Sequence, residues 1–350
     1  MFASPLIPPL DNGAAEAARA RQASLTKPPG SLGRLEALAV QLAAIQARRV
    51  PHLNRRVAVV AAADHGVACH GISAYPRDVT AQMVANFVRG GAAVNQLAAR
   101  AGAEVLVVDA GVSAPPGAAG VLDRRAGPGT ADITRGPAMT RATAEALLAQ
   151  GVALARDLRA DALVLGDMGI GNTTCAAALT AAFLGLPPSR VTGRGTGIDD
   201  DAYRRKVDAV ALAIEVNRPD AGDAVGTLAA LGGFELAFLA GVALGAASAR
   251  KLVILDGFPT TAAALVAHRI APEAGGFFLA SHRSVEPGHA AALAALGLEP
   301  LLDLQLRLGE GTGGLLALLL VDAALAVHAG MATFEEAGVH QGAPAGEDVG

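Results

Sequence analysis

Six short apolar runs, each closed by a polar turn, recur along this 350-residue chain. Residues 56–61 lead into Asp64-His65-Gly66, 104–108 into Asp109-Ala110-Gly111, and 162–165 into Gly166-Asp167-Met168-Gly169. Residues 251–255 lead into Asp256-Gly257-Phe258, 276–280 into Ser281-His282-Arg283, and 298–304 into a loop around Glu310. Longer, helix-patterned segments separate them. Near-continuous apolar strands alternating with helices predict an α/β fold, a parallel sheet covered on both faces. Right-handed crossovers gather the turns along one sheet edge. Open α/β sheets bind ligands at that carboxyl edge.

The ends read differently. Residues 11–50 pattern as two helices around Thr26-Lys27-Pro28-Pro29-Gly30-Ser31-Leu32-Gly33. Residues 312–337 pattern as one long helix and a short one that Thr333 can cap. The expected division is a large α/β domain over 52–309 and a smaller helical domain from 1–51 plus 310–340. Residues 113–136, rich in Gly, Pro and Ala, predict a long surface loop. Residues 341–350 predict a frayed tail, and no solenoid repeat is visible.

Charge narrows the partners. The net charge is −4 and no Lys/Arg run occurs, which argues against nucleic acid and against an anionic membrane. Trp is absent and aromatics make up 3%, too few for base-stacking platforms. The longest uncharged apolar stretch, 236–249, falls short of the roughly 18 residues a span needs. The N-terminus shows no basic region followed by an apolar one, so a cytoplasmic protein is expected. Cys69 and Cys175 are too few and too far apart for a disulfide framework, and reduced thiols are expected.

Glu310 is the strongest candidate for chemistry. Four glycines surround it, in Leu308-Gly309-Glu310-Gly311-Thr312-Gly313-Gly314, ahead of an apolar helix. Glycine there costs backbone entropy, and a charge against an apolar wall costs desolvation. Both costs make sense if a flat ligand approaches the backbone while the acid handles a proton. The alternative is an ordinary acid near a helix N-terminus. The spacing G-x-G-x-x-G across Gly309, Gly311 and Gly314 is not a dinucleotide fingerprint, because no strand with an acidic end follows.

Two further glycine loops precede helices. Gly166-Asp167-Met168-Gly169-Ile170-Gly171-Asn172-Thr173-Thr174 opens an alanine-rich helix, and Gly193-Arg194-Gly195-Thr196-Gly197 precedes a helix carrying Lys206. They read either as a phosphate cradle or as two tight turns with ordinary caps. Neither is a Walker A motif. Ser73, Tyr75 and Gln82 are placed to line a flat aromatic pocket, with Val79, Met83 and Phe87 on an expected core face. Ser281 and His282 read as polar cleft lining, since neighbours in a turn seldom face each other. His65, Cys69 and His70 match no zinc spacing, and no metal is expected.

Six motifs together resemble those of the nicotinate-nucleotide–dimethylbenzimidazole phosphoribosyltransferase family. They are the run from Lys27 to Glu36, Asp64-His65-Gly66-Val67, the run from Met168 to Thr174, the run from Gly193 to Gly197, Ser281-His282-Arg283-Ser284, and the run from Leu308 to Gly313. They run in order across nearly the whole chain. The resemblance implies a Rossmann-like sheet, a homodimer, and no cofactor. It implies as substrates nicotinate mononucleotide and 5,6-dimethylbenzimidazole. It implies that Glu310 is a general base, that Leu308 contacts substrate, and that Asp167, Gly169, Gly171, Asn172, Thr173, Gly193, Gly195, Thr196, Gly197 and Lys206 hold the nucleotide. The family usually carries Glu where this chain has Asp167, so that side chain is one methylene short. A base-sensing module without catalysis on the same fold is the rival reading.

Overall fold

The computed structural model describes residues 2–114 and 119–340. The tail from 341 onward and residues 115–118 of the 113–136 segment lie outside them. Six strands form one sheet: β1 (Arg56–Ala63), β2 (Glu104–Gly111), β3 (Val121–Asp123), β4 (Ala162–Met168), β5 (Leu252–Leu255) and β6 (Phe278–Ala280). Every pairing is parallel, in the order β3-β2-β1-β4-β5-β6. Strand order reverses between β1, which pairs Val60 with Val107 on one side, and β4, which offers Gly166 on the other. That reversal is the switch point at which a crevice opens above the strand ends.

β1 is buried along all but its first residue, as helices on both faces demand. Helix Phe234–Ser248 is buried from Phe234 to Ala247, which is why its sequence shows no polar stripe. Residues 298–304 do not form the expected strand. Only Leu302 bridges, to His282. Pro300 lacks an amide for a ladder, and Glu299 and Asp303 interrupt the apolar run. The sixth strand is instead β3, inside the segment expected to be all loop, where three residues extend β2.

The chain divides into two units. The larger comprises Arg55–Ala317 with the residues up to Pro8, and the smaller Pro9–Asn54 with the residues from Leu318. The division falls at Ala317 rather than at residue 309, so the Glu310 loop is part of the larger unit. In the smaller unit, Asp11 caps helix Asn12–Ser24 by accepting from the Ala14 amide at 2.8 Å. Lys27 and Glu36 pair at 2.7 Å with the lysine almost covered. The buried His328 ring is fixed by Gln22 on Nδ1 and the Arg49 carbonyl on Nε2, both at 2.9 Å. Thr333 does cap the short helix Phe334–Ala337, reciprocally with Glu336.

Helix Thr312–Gly330 is long and apolar enough to cross a membrane by length and composition, although the sequence pointed only to 236–249. Half of that apolar window is buried inside the fold.

Candidate active site

The carboxyl ends of β4, β5 and β6 bring Asp167, Asp256 and His282 together, and the Glu310 turn sits above them. The Glu310 amide donates to the Asp167 carbonyl at 3.3 Å. This contact needs Gly166: a Cβ there would lie 2.6 Å from the Glu310 carbonyl carbon. Glu310 itself adopts φ of 65°, a left-handed conformation that a non-glycine residue seldom takes. Three amides beyond it, those of Gly311, Gly313 and Gly314, donate to the Asp256 carboxylate at 3.0, 2.6 and 3.1 Å. Strain at one residue, over-determined by its neighbours, is the pattern of a functional turn.

Four acids crowd this place: Asp167, Glu235, Asp256 and Glu310 are all buried. Burial, then the charges of Asp256, Glu235 and Glu310, push Asp167 well above the usual carboxylate range. Burial pushes Asp256 up to about 7, with the three loop amides pulling the other way. Burial also raises Glu310, against the Val94 amide in the first turn of helix Ala93–Ala101. Asp167 Oδ1 and Glu310 Oε2 are buried without a hydrogen-bond partner. Below them His65 Nε2 meets Glu235 Oε1 at 2.9 Å, and Cys175 Sγ lies 3.3 Å from His65 Nδ1. Burial opposes charge on His65, yet Glu235 holds its imidazole well above its ordinary value. His282 is the opposite case: burial lowers it to about 4, so its ring is neutral.

A cavity of about 510 Å³ opens beside the acids. Ser73, Tyr75, Asp167, Gly169, Gly171, Asn172, Thr173, Gly195, Thr196, Lys206 and Leu308, all expected from sequence, line it. Tyr75 and Leu308 form an exposed apolar rim. Thr196 Oγ1 accepts from the Ala74 amide at 2.9 Å, tying the 193–197 loop to that rim. Lys206 is 1% exposed, and its ammonium donates to Thr173 Oγ1 at 2.8 Å, at the N-terminus of helix Asn172–Leu184. Burial lowers this lysine. Asn172 Nδ2 donates to Asp167 Oδ2 at 2.6 Å.

Other expected residues do not line the cavity. Gln82 is exposed on helix Val79–Arg89, whose buried side is Thr80, Val84, Ala85 and Phe87. Val79 and Met83 are only partly covered, so the expected core face is rotated. Ser281 is fully buried and donates to the Asp256 carbonyl at 3.0 Å, and it does face its neighbour, with Oγ 3.0 Å from His282 Nδ1. Gly193 and Gly197 face a second hollow on the other side of their loop. Glu310 is not among the lining residues, although Gly309 before it and Asp167, which its amide contacts, both are.

His282, expected as cleft lining, does line the cavity, whereas sequence reasoning missed Phe258, Pro259, Glu286 and Arg307. Glu286 is the consequential one. Its Oε1 accepts the Gly195 amide at 2.8 Å, and it packs where a Gly193 side chain would be. The 193–197 loop therefore offers an anion fewer amides than its glycines suggest. The other cation within reach, Arg307, donates to the Gly195 carbonyl at 3.2 Å. No local motif marks Glu286, since its partner lies 91 residues away.

Glycine-lined helix ends, a buried cation and a strained acid beside one cavity suit transfer of a phosphorylated sugar. The known proteins agree. Residues 7–339 match the family model described as phosphoribosyltransferase. A protein from Roseiflexus sp. (strain RS-1) named nicotinate-nucleotide–dimethylbenzimidazole phosphoribosyltransferase is 51% identical over 95% of this chain and 96% of its own. One of the same name from Thermus thermophilus is 52% identical over 93% of this chain and 98% of its own. A crystal structure of the Thermus thermophilus enzyme superimposes with a TM-score of 0.90 at 50% identity, covering 95% of this chain and all of that one. With a match that spans both units and every motif of the site, the chain belongs to the phosphoribosyltransferase family.

Proposed function

We propose that the chain moves a phosphoribosyl group from nicotinate mononucleotide to 5,6-dimethylbenzimidazole. The products are α-ribazole 5′-phosphate and nicotinate, in the assembly of the lower ligand of cobalamin. The working form is a cytoplasmic homodimer. The names of the close relatives support the substrate pair. The cavity supports the rest: Lys206, Thr173 and the adjacent helix end take the phosphate, and the Tyr75–Leu308 rim takes the flat base.

Nicotinate leaves C1′ as a neutral ring nitrogen from a cationic one, so departure needs little help. Benzimidazole attacks through one nitrogen while the other gives up its proton. Glu310 accepts that proton, directly or through one water, as a positioned general base. Attack opposite to the leaving group turns a β-linked donor into an α-linked product. Asp167, pushed well above the usual carboxylate range by burial and by the neighbouring acids, keeps one oxygen unpaired at the cavity wall. Alignment of the two rings at C1′ contributes more than the base, of order 7–11 kcal/mol in favourable cases.

The carrying observation is the pair of buried acids joined through backbone, each with one oxygen unpaired. The test is Glu310→Gln. Folding and substrate binding should persist while nicotinate release slows by roughly 10²–10⁴. Near-normal release would take Glu310 out of the chemistry. Binding of both partners by the native chain without any nicotinate release would favour the sensing module.

A further inference from the structure

His65 and His70, five residues apart in sequence, have separate fates. His65 is sealed in the core against Glu235, whereas His70 closes the 3₁₀ turn Gly66–His70 at the surface. There its Nε2 lies 2.9 Å from Asp132 Oδ2, and Cys69 Sγ lies 3.9 Å from the same oxygen. The three ligand atoms all fall within 4.8 Å of one another. No spacing rule could find this group, because Asp132 lies 62 residues from His70.

We infer that Cys69, His70 and Asp132 bind a zinc ion, with water completing the coordination. A thiolate, an imidazole and a carboxylate are the donors a borderline-soft, four-coordinate ion selects. Zinc bond lengths place tetrahedral neighbours about 3.3–3.6 Å apart. The observed separations of 2.9 and 3.9 Å bracket that range, so small rotations suffice. The carboxylate is already aimed. Its Oδ1 is held by the Thr134 amide at 3.0 Å and the Thr134 hydroxyl at 2.8 Å, which leaves Oδ2 to face His70 and Cys69. Outer partners of this kind orient ligands. Arg135, 3.6 Å from Oδ2, is 83% exposed and swings aside at little cost.

On binding, the Cys69 S–H bond breaks, sulfur keeps the electron pair for the metal, and the proton goes to solvent. His70 exchanges its contacts with Asp132 and Thr134 for the ion. The turn so fastened runs directly into Ile72, Ser73 and Tyr75, three residues of the cavity wall. Occupancy therefore steadies the base-binding rim, in a way that does not depend on which base is used.

The experiment is titration of the metal-free full chain with cobalt(II) as a spectroscopic stand-in, followed by zinc. A saturable thiolate-to-cobalt absorption band at one equivalent, abolished by zinc, is expected. Cys69→Ser should remove the band, and His70→Ala should weaken zinc binding roughly tenfold or more. Both side chains are at least partly exposed, so the metal-free variants should melt with the native chain. Absence of a saturable band in the native chain overturns the assignment. So does an undiminished band in Cys69→Ser, which would place the sulfur at the buried Cys175.

Discussion

The Asp256 carboxylate accepts the Gly313 amide at 2.6 Å. With Gly311 and Gly314 on the same side chain, one acid at the end of β5 fixes the turn that carries Glu310. Asp256→Ala leaves three amides without their acceptor. Each such loss costs about 1–3 kcal/mol, offset by no longer burying a carboxylate, for a net of roughly 2–4 kcal/mol. Urea unfolding measures it. A loss below about 1 kcal/mol would mean that the turn holds its shape without Asp256.

The same residue sets a pH dependence with a definite sign. Its folded-state value, about 7, lies above the ordinary 3.8. The folded state thus binds the proton more tightly, and this group's stabilisation is complete below about pH 4 and lost as pH rises through about 7. Asp256→Asn cannot titrate. Relative to the native chain, its midpoint should therefore improve steadily between about pH 4.5 and about pH 7.5. A flat difference across that window would contradict the assignment.

Asp167 follows the same rule more strongly, being raised by burial and by three neighbouring acids. Asparagine resembles its protonated form and keeps an acceptor for Asn172. Asp167→Asn should fold normally and gain stability over the native chain as pH rises, because it escapes the cost of ionising there. Thermal melts at mildly acidic and mildly alkaline pH compare the two. Greater gain on the acidic side would reverse the sign and refute the buried-proton reading.

Lys206 tests the nucleotide end. Its ammonium meets Thr173 beside a helix N-terminus and is otherwise buried. A charge-assisted contact to phosphate is worth about 1.5–3 kcal/mol, so Lys206→Ala should weaken nucleotide binding roughly ten- to hundredfold. Benzimidazole binding, at the opposite rim, should change far less. Calorimetric titration with each ligand separates them, and the reverse order would reassign the cradle.

What could be read from the chain depended on how local each feature is. β1 and β4 announce themselves because both faces are buried and residues 57–63 and 162–165 are unbroken apolar runs. β3 does not, since three residues in a Gly/Pro-rich stretch gain their strand character only from pairing with β2. The Glu310 turn is legible because its glycines are needed within one short segment. Glu286 and Asp256 are not, because each acts on amides that are distant in sequence. Gln82 lies at the surface and outside the cavity lining, because the buried side of Val79–Arg89 is Thr80, Val84, Ala85 and Phe87.

Gly313 gives the sharpest steric test. A Cβ on it would lie 2.0 Å from His282 Nδ1, far inside contact distance. The helix that begins at Thr312 can be anchored to Asp256 only if position 313 carries no side chain. Gly313→Ala must push the His282 ring or lift the turn, at a cost of about 2 kcal/mol or more by the usual penalty for overpacking. His282→Ala removes the obstructing ring, so the double variant should recover at least about 1 kcal/mol relative to the sum of the single changes. Strict additivity in urea unfolding would mean that the methyl is accommodated elsewhere. It would also mean that the glycine at 313 serves the backbone alone, and not the close seat of a neutral histidine beside the Glu310 turn.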